Sequence, residues 1–204
     1  MADAAVSFSA LENRVRSLPK DERTWCLGTD QRTTQQGQSA KKGRNLTPSY
    51  IIVDSQSTKT NYEGEAIGFH GGKKVKGRSR QIAVDTQGNI WSTHVHAANT
   101  ADTTGGCELV DKVFKELPGV KAICADAGYR GTFVDHVKKE WDKVVHISEK
   151  IKDGFAVIPK RWVVERTFSW LNGNRRLSKD YEKTTSSSES QILIANISRI
   201  LKQF

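Results

Sequence analysis

The chain has 204 residues, of which 36% are hydrophobic, and its 32 Lys and Arg against 23 Asp and Glu give a formal net charge of +9. No apolar run approaches the ~20 residues of a membrane-spanning helix, and no secretory signal pattern opens the sequence. Cys26, Cys107 and Cys124 form no CxxC pair, which argues against a disulfide scaffold or a Cys-based zinc module and favours reduced thiols in a cytoplasmic protein. The basic excess favours a polyanion such as nucleic acid, with a merely soluble basic protein as the alternative.

The first 47 residues differ in composition from the rest. Residues 8–17 have the spacing of one short helix, whereas residues 28–49 are rich in Gln, Thr, Gly and Lys and contain almost no apolar side chain. Such a segment buries too little apolar surface to fold alone. We therefore predict a short helix and a flexible basic arm over 1–47, followed by a single domain over 48–204.

The domain reads as alternating strands and helices. Residues 61–80 are rich in Gly and Lys and are predicted to form a basic loop. Apolar runs and turn signals predict strands at 51–53, 81–85, 89–96, 120–125 and 144–147. Helical spacing predicts helices at 104–117, 132–141, 160–171 (opened by Pro159) and 188–204 (opened by a Ser188/Gln191 capping box). This order predicts an α/β domain with a mixed five-stranded sheet flanked by helices.

Two carboxylates directly follow predicted buried strands. Asp54 follows Ile51–Val53, and Asp126 follows Ala122–Ala125. If the two strands are neighbours, the carboxylates converge where ligand sites gather in α/β sheets. Converging carboxylates need a positive partner, for which a hard divalent cation such as magnesium or manganese is suited. Either Asp could instead accept turn hydrogen bonds.

Glu165 is a third candidate, on the helix with sequence RWVVERTFSWL. It stands among bulky apolar residues. Its simplest interpretation by itself is a surface glutamate paired with Arg161 at i,i−4.

Four stretches together resemble bacterial insertion-sequence transposases of the DDE type, in particular the insertion-sequence-five group. They are IIVDSQSTKT (51–60), FHGGKKVKGRSRQIAVDTQGNIWSTHVHAANTAD (69–102), AICADAGYRG (122–131) and PKRWVVERTFSWLNGNRRLSKDYE (159–182). The resemblance spans about residues 48–204, in the family's order. It implies an RNase H-like fold in which Asp54, Asp126 and Glu165 are the catalytic, metal-binding triad. The chain departs from some related groups at Ile158 and Asn172, which replace a Tyr and a Lys.

The resemblance also implies the activity. A DDE transposase cuts and joins double-stranded DNA with Mg²⁺, for which Mn²⁺ substitutes, through a two-metal mechanism. Expected partners are the insertion-sequence ends and target DNA, further copies of the chain on DNA, and a separate N-terminal frame product, because relatives usually carry a larger N-terminal recognition region. The expected location is the cytoplasm, at the bacterial nucleoid.

Basic residues cluster near the predicted acids and are candidates for phosphate contacts, with a solvated charged surface as the alternative. They are Lys73, Lys74, Lys76, Arg78, Arg80, Arg130, Arg161, Arg175, Arg176 and Lys179.

Further residues have both a structural and a functional interpretation. His94 and His96 share one strand face and could form a metal set with Asp102, although a structural role is favoured. Tyr129 could stack on a base or pack. Trp162 and Trp170 are predicted to be core residues, with contact to a flipped base as the alternative for Trp170.

Two other functions stay open at this point. One is a truncated, inactive product that binds DNA or the full transposase as a regulator. The other is a stand-alone RNase H-like nuclease that cuts without joining ends.

Overall fold

The computed structural model describes residues 20–60, 63–148 and 161–203. The predicted helix at 8–17, the Pro159 helix start and Ile158 lie outside these residues. The described elements, in chain order, are α1 (Lys20–Lys41), β1 (Tyr50–Lys59), β2 (Gly68–His70), β3 (Val75–Val84), β4 (Ile90–Ala97), α2 (Asp102–Glu116), β5 (Ala122–Asp126), α3 (Thr132–Trp141), β6 (Val144–Ser148), α4 (Arg161–Asn172) and α5 (Thr185–Leu201).

The strands form one mixed sheet. β3 pairs antiparallel with β1 on one side and with β2 and β4 on the other. β5 pairs parallel with β1, with Ile52 opposite Cys124, and β6 pairs parallel with β5. With short β2 set aside, the order β4-β3-β1-β5-β6, antiparallel for the first three strands and parallel for the last two, confirms the predicted RNase H-like α/β fold.

Hydrophobic residues cover both faces of the sheet. Alternation along β1 sends Ile51 and Val53 into a core with α2 and α3, and Ile52 into a second core with α4 and α5. The first core includes Leu109, Val113 and Phe133; the second includes Ile82, Val164, Phe168 and Ile192. The face that carries Ile52 is therefore the one that α4 covers.

The predicted loop over 61–80 is wrong in part. β2 lies inside it, and β3 begins at Val75 rather than at Gln81. The described sheet consequently has six strands rather than five. The sequence pattern hides this strand because its first half carries Lys76, Arg78 and Arg80, which resemble a solvated charged loop.

The predicted arm over 28–49 also differs from the structure, since residues 28–41 belong to α1. Gln31, Gln35 and Gln38 recur at helical spacing and are buried. The first two donate side-chain hydrogen bonds to the carbonyl oxygen of Ile90, and Gln38 donates to Gln203 on the segment after α5. In the part of α1 whose side chains are described, these amides dock the helix, and the sequence of 28–41 accordingly shows no apolar stripe.

Two helices begin two or three residues before their predicted first residues. α2 begins at Asp102, two residues before its predicted start. α5 begins at Thr185, because the Thr184 hydroxyl accepts a hydrogen bond from the Ser187 amide and caps the helix. Ser188, the predicted cap, is buried and donates to Asp180 instead. None of the described helices is long and apolar enough to cross a membrane.

Candidate functional site

A split in the sheet places the first two acidic residues. β1 and β5 pair only as far as Ile52 and Cys124, after which β1 continues to Lys59 beside β3 alone. Asp54 and Asp126 each lie two residues beyond that last pair and, by alternation, point to the face covered by α4. Asp54 is therefore within β1, not just after it as predicted, but the expected convergence at the strand ends is present.

Backbone amides fix one oxygen of each carboxylate. The Ser55 amide donates to Asp54 Oδ1 at 2.7 Å, and the Gly128 amide donates to Asp126 Oδ1 at 2.8 Å. The second bond belongs to the tight 3-10 turn at Ala127–Tyr129 that directly follows β5. These bonds restrict the orientation of both side chains.

Helix α4 contributes a cation and the third acid. Arg161 Nη2 lies 3.6 Å from Asp126 Oδ2, and Arg161 Nε lies 3.3 Å from Glu165 Oε1 one turn along the helix. The predicted i,i+4 pair is present, but the same guanidinium also reaches β5. Arg161 is mostly buried, whereas the Glu165 side chain is 58% exposed.

The electrostatics of Asp54 show that the three acids act on one another. Burial raises its pKa from 3.8 to about 6, with further increases from the charges of Asp126 and Glu165. The Ser55 amide and Arg161 oppose this rise without cancelling it. The site therefore favours additional positive charge.

The donor chemistry of the site fits a hard divalent cation. All three acids supply carboxylate oxygens, which magnesium and manganese prefer, and the pKa of Asp54 is raised first by burial and then by the charges of Asp126 and Glu165. Over the described residues, no three His, Cys, Asp or Glu side chains already surround a common metal position. The structure thus brings the acids to one locality but does not test their assignment as metal ligands.

Two predicted DNA contacts are buried inside the fold. Arg78 and Arg80 of β3 are fully buried, and Arg78 donates to Asp180 at 3.2 Å and to the carbonyl oxygens of Glu65, Glu182 and Lys183. Arg80 donates to the carbonyl oxygens of Leu177 and Lys179. Because their guanidinium groups join β3 to the segment before α5, we remove both residues from the candidate DNA surface.

The other predicted basic residues are at least partly accessible. Lys73, Lys74 and Lys76 surround the turn between β2 and β3, where they are exposed. Arg130, Arg175 and Arg176 are exposed and Lys179 is half-buried, while Arg176 pairs with Glu182 at 2.9 Å. Their proposed contacts to DNA remain predictions.

The histidines of β4 have protein partners. His94 Nε2 lies 3.2 Å from Glu108 and its Nδ1 lies 3.6 Å from Glu189, whereas His96 contacts Gln81 at 3.1 Å. Burial lowers the pKa of His96, which favours its neutral form. These contacts support the structural interpretation of both side chains. Tyr129 is likewise buried, with its ring edge-on to Phe133.

The sequence analysis missed a stacked row of side chains on α4. The Arg166 guanidinium lies 4.2 Å from the ring centre of Trp162 and 4.6 Å from that of Trp170. Arg199 of α5 lies 4.5 Å from the Trp170 ring centre, so two guanidinium groups contact Trp170. Trp162, predicted to be core, is 41% exposed. The i, i+4, i+8 spacing of Trp162, Arg166 and Trp170 was a visible signal, but the Arg199 contact was not.

A family comparison agrees with the resemblance seen in the sequence. A sequence model of the family described as Transposase DDE domain matches residues 45–201, which is more than half of the chain. No curated protein shows significant similarity to the chain.

Similar solved structures include retroviral and transposon proteins. The catalytic core domain of BIV integrase is 13% identical, with a TM-score of 0.45 over 74% of this chain and 82% of that one. A simian T-cell lymphotropic virus intasome, in complex with PP2A regulatory subunit B56 gamma, is 15% identical, with a TM-score of 0.44 over 64% and 41%. The Mos1 mariner paired end complex with Mn is 10% identical, with a TM-score of 0.32 over 97% and 69%.

Proposed function

The chain belongs to the Transposase DDE domain family, and from that premise we propose that it cuts DNA strands and transfers their ends during transposition of an insertion sequence. The observation that carries the proposal is the meeting of Asp54, Asp126 and Glu165 where β1 and β5 separate beneath α4. We assign these three carboxylates as ligands of Mg²⁺, with Mn²⁺ as a substitute. We place the element in the insertion-sequence-five group on its motifs.

The divalent ions would supply the charge that the reaction needs. Asp54, Asp126 and Glu165 would hold these ions, which would supply activation of a water and stabilisation of the leaving 3′-oxygen of a phosphodiester. The acids of this chain hold that charge in place, and the amides of Ser55 and Gly128 orient two of them. A freed DNA 3′-hydroxyl at the same position would serve as the nucleophile for strand transfer.

Arg161 has a separate role in this proposal. Its guanidinium is the closest fixed positive charge to Asp126 and Glu165 among the contacts described above. In the absence of metal it limits repulsion between the acids, and with DNA bound it is positioned to contact a phosphate oxygen. Exposed Lys73, Lys74, Lys76, Arg130, Arg175 and Arg176, with Lys179, would hold the double-stranded DNA on either side. We also propose that the chain acts as a homo-oligomer on DNA.

Calorimetric titration with Mn²⁺ tests the metal site without any knowledge of the element's ends. We expect the wild type to bind Mn²⁺ and Asp126→Asn to lose that binding, because the substitution removes one of the three proposed charged ligands. Circular dichroism and thermal unfolding establish that both proteins are folded. A folded wild type that binds no Mn²⁺, even with DNA present, would contradict the catalytic proposal and favour a regulatory DNA-binding product.

A second assay separates transposition from simple nuclease activity. Pre-cleaved DNA ends and a target plasmid are incubated with the wild type and with Glu165→Gln. We expect joined products only with the wild type. Cleavage of DNA without joined products under the same conditions would favour the stand-alone nuclease.

A further inference from the structure

A cleft of about 380 Å³ lies between α4 and α5. Its walls come from Trp170 and Asn174 at the end of α4, from Asn196 and Arg199 of α5, and from Lys202 just after α5. Among the described residues that line the cleft, none is acidic. It therefore combines two positive charges with several hydrogen-bonding groups.

The turn between β3 and β4 fixes one of these cations. Gly88 in that turn has a φ of +86°, and a Cβ there would lie 2.6 Å from Thr167 Oγ1 and 3.0 Å from the Trp170 ring, so the turn packs tightly on α4. Arg199 Nη2 donates to the Gly88 carbonyl oxygen at 3.2 Å and to two asparagine side chains. The guanidinium is thus positioned by the fold before any ligand binds.

The charge of Arg199 lacks a carboxylate partner. Burial lowers its pKa to about 10, while Asp85 opposes this change and the charge of Arg166 adds to it. The Asp85 carboxylate already accepts four hydrogen bonds, within its own turn and from Trp91. Over the described residues, Nε and Nη1 of Arg199 have no acceptor and Lys202 has no ion-pair partner. An anion in the cleft would satisfy both side chains.

Further cations flank the same turn and favour a polymeric anion over a single ion. Lys42 donates to the Gln87 side chain at 3.0 Å, and Arg44 donates to the Thr86 hydroxyl at 2.9 Å. Both basic residues are exposed. Separate positive charges around one turn match the repeated phosphates of a nucleic acid.

We propose that the cleft between α4 and α5 binds a backbone phosphate of double-stranded DNA, outside the segment that reaches the acid cluster. Successive residues of a helix turn by about 100°, so Trp170 and Glu165 point about 140° apart around α4. Arg199 supplies directed donors to the phosphate and Lys202 adds a second charge. The contact is independent of DNA sequence. This inference rests on the proposed function, which supplies the DNA.

Salt-dependent binding of a labelled duplex, followed by anisotropy in EDTA, tests the cleft. We expect Lys202→Ala to make the slope of log Kd against log salt shallower by about 1, because one phosphate contact is lost. Lys202→Arg, which keeps the charge, should retain the wild-type slope. Lys115→Ala, which removes an exposed lysine from the last turn of α2, should retain it too. Circular dichroism establishes that the variants are folded.

Nuclear magnetic resonance locates the phosphate at Arg199 itself. The ¹H–¹⁵N signal of Arg199 Nε is assigned by its absence from Arg199→Lys. We expect the duplex to shift this signal in the wild type and to shift it less in Lys202→Ala. Inorganic phosphate at the same ionic strength should cause a smaller shift than the duplex, because a single ion makes no contact with the other cations of the turn.

Two results would overturn the phosphate site. One is an unchanged slope in Lys202→Ala; the other is an Arg199 signal that moves with inorganic phosphate but not with the duplex, which indicates a site for a free ion. The Mn²⁺ titration separates this failure from that of the proposed function. A chain that binds Mn²⁺ but shows no Lys202 effect lacks the cleft contact alone, whereas a Lys202 effect without Mn²⁺ binding contradicts the catalytic proposal alone.

Discussion

At the scale of single residues, Asp54 connects the burial of the site to its charge. It lies in β1 beside β3, on the face that α4 covers, in contact with the Ser55 amide and within the electrostatic reach of Asp126, Glu165 and Arg161. Burial removes water from this carboxylate and so destabilises its charged form. Its protonation therefore reports on the fold as well as on the site.

Asp54→Asn is expected to change how stability depends on pH. A carboxyl group whose pKa rises from 3.8 unfolded to about 6 folded contributes stability below pH 4, and that contribution is lost as pH rises to 6. The loss amounts to about 3 kcal/mol. In EDTA at pH 7, Asp54→Asn should unfold at higher urea concentration than the wild type, and at pH 3.5 the two should be similar. Parallel stability curves across this range would contradict the raised pKa.

The sequence predicted the convergence of Asp54 and Asp126, whereas Glu165 was added only through the family resemblance, and the assignment of all three as catalytic residues stays a prediction. Asp54 and Asp126 stand beside apolar runs, and such runs are local signals that a strand is buried. The double pairing of Arg161 with Glu165 and Asp126 is only half visible in the sequence, because the i,i+4 contact is local and the contact to β5 depends on the docking of α4. The exposure of Trp162 depends on that docking too.

At the scale of elements, a buried ion network joins β3 to the segment that precedes α5. Arg78 and Arg80 converge on Asp180, which also accepts hydrogen bonds from the Ser188 hydroxyl and the Glu182 amide. Lys59 and Thr60 at the end of β1 contact the same residue through the backbone. Asp180 thus ties two strands to the start of α5.

Asp180→Ala is expected to reduce the free energy of unfolding by about 3–5 kcal/mol, because it leaves two buried guanidinium groups without their carboxylate. Urea unfolding monitored by circular dichroism measures the loss. Asp180→Asn, which keeps a hydrogen-bond acceptor, should be intermediate, and Lys179→Ala next to it should cost less than 1 kcal/mol. If the free energy of unfolding of Asp180→Ala lies within about 1 kcal/mol of the wild-type value, the network does not contribute the expected stability.

The same network explains why β3 was only partly predicted. Hydrophobic runs identified the second half of β3, the first part of β1, and strands β4, β5 and β6, and helical spacing located the four helices α2 to α5. The local sequence around Arg78 is typical of a loop, and its burial is explained only by the contact with Asp180, which lies 102 positions later in the chain. Local sequence patterns carry no signal for such a contact. The amide-mediated docking of α1 is hidden for the same reason.

At the scale of the whole molecule, charge is expected to set DNA affinity. The triple variant Lys73→Ala, Lys74→Ala, Lys76→Ala removes three exposed cations from the turn between β2 and β3. If each contacts a phosphate, the slope of log Kd against log salt for double-stranded DNA should become shallower by about 3. Fluorescence anisotropy, measured at salt concentrations from about 50 to about 300 mM, gives the slope.

A matched variant separates position from net charge. Lys138, Lys139 and Lys143 lie on and just after α3 and supply the same number of charges. Their replacement by Ala should leave the slope close to that of the wild type. If the slope of log Kd against log salt becomes shallower by the same amount in both triple variants, the turn is not a specific DNA contact.

The parallel pairing of β1 with β5 has a consequence for the way the chain is made. The two strands are far apart in sequence, and such non-local parallel pairing forms slowly. During synthesis both Asp54 and Asp126 leave the ribosome before Arg161, so the two strands approach before the positive charge that later offsets theirs is present. The central pairing of the sheet is therefore weakest in a nascent chain that ends before α4. Docking of α4 therefore both adds Arg161 and Glu165 to the acid cluster and covers the sheet face that carries Asp54 and Asp126.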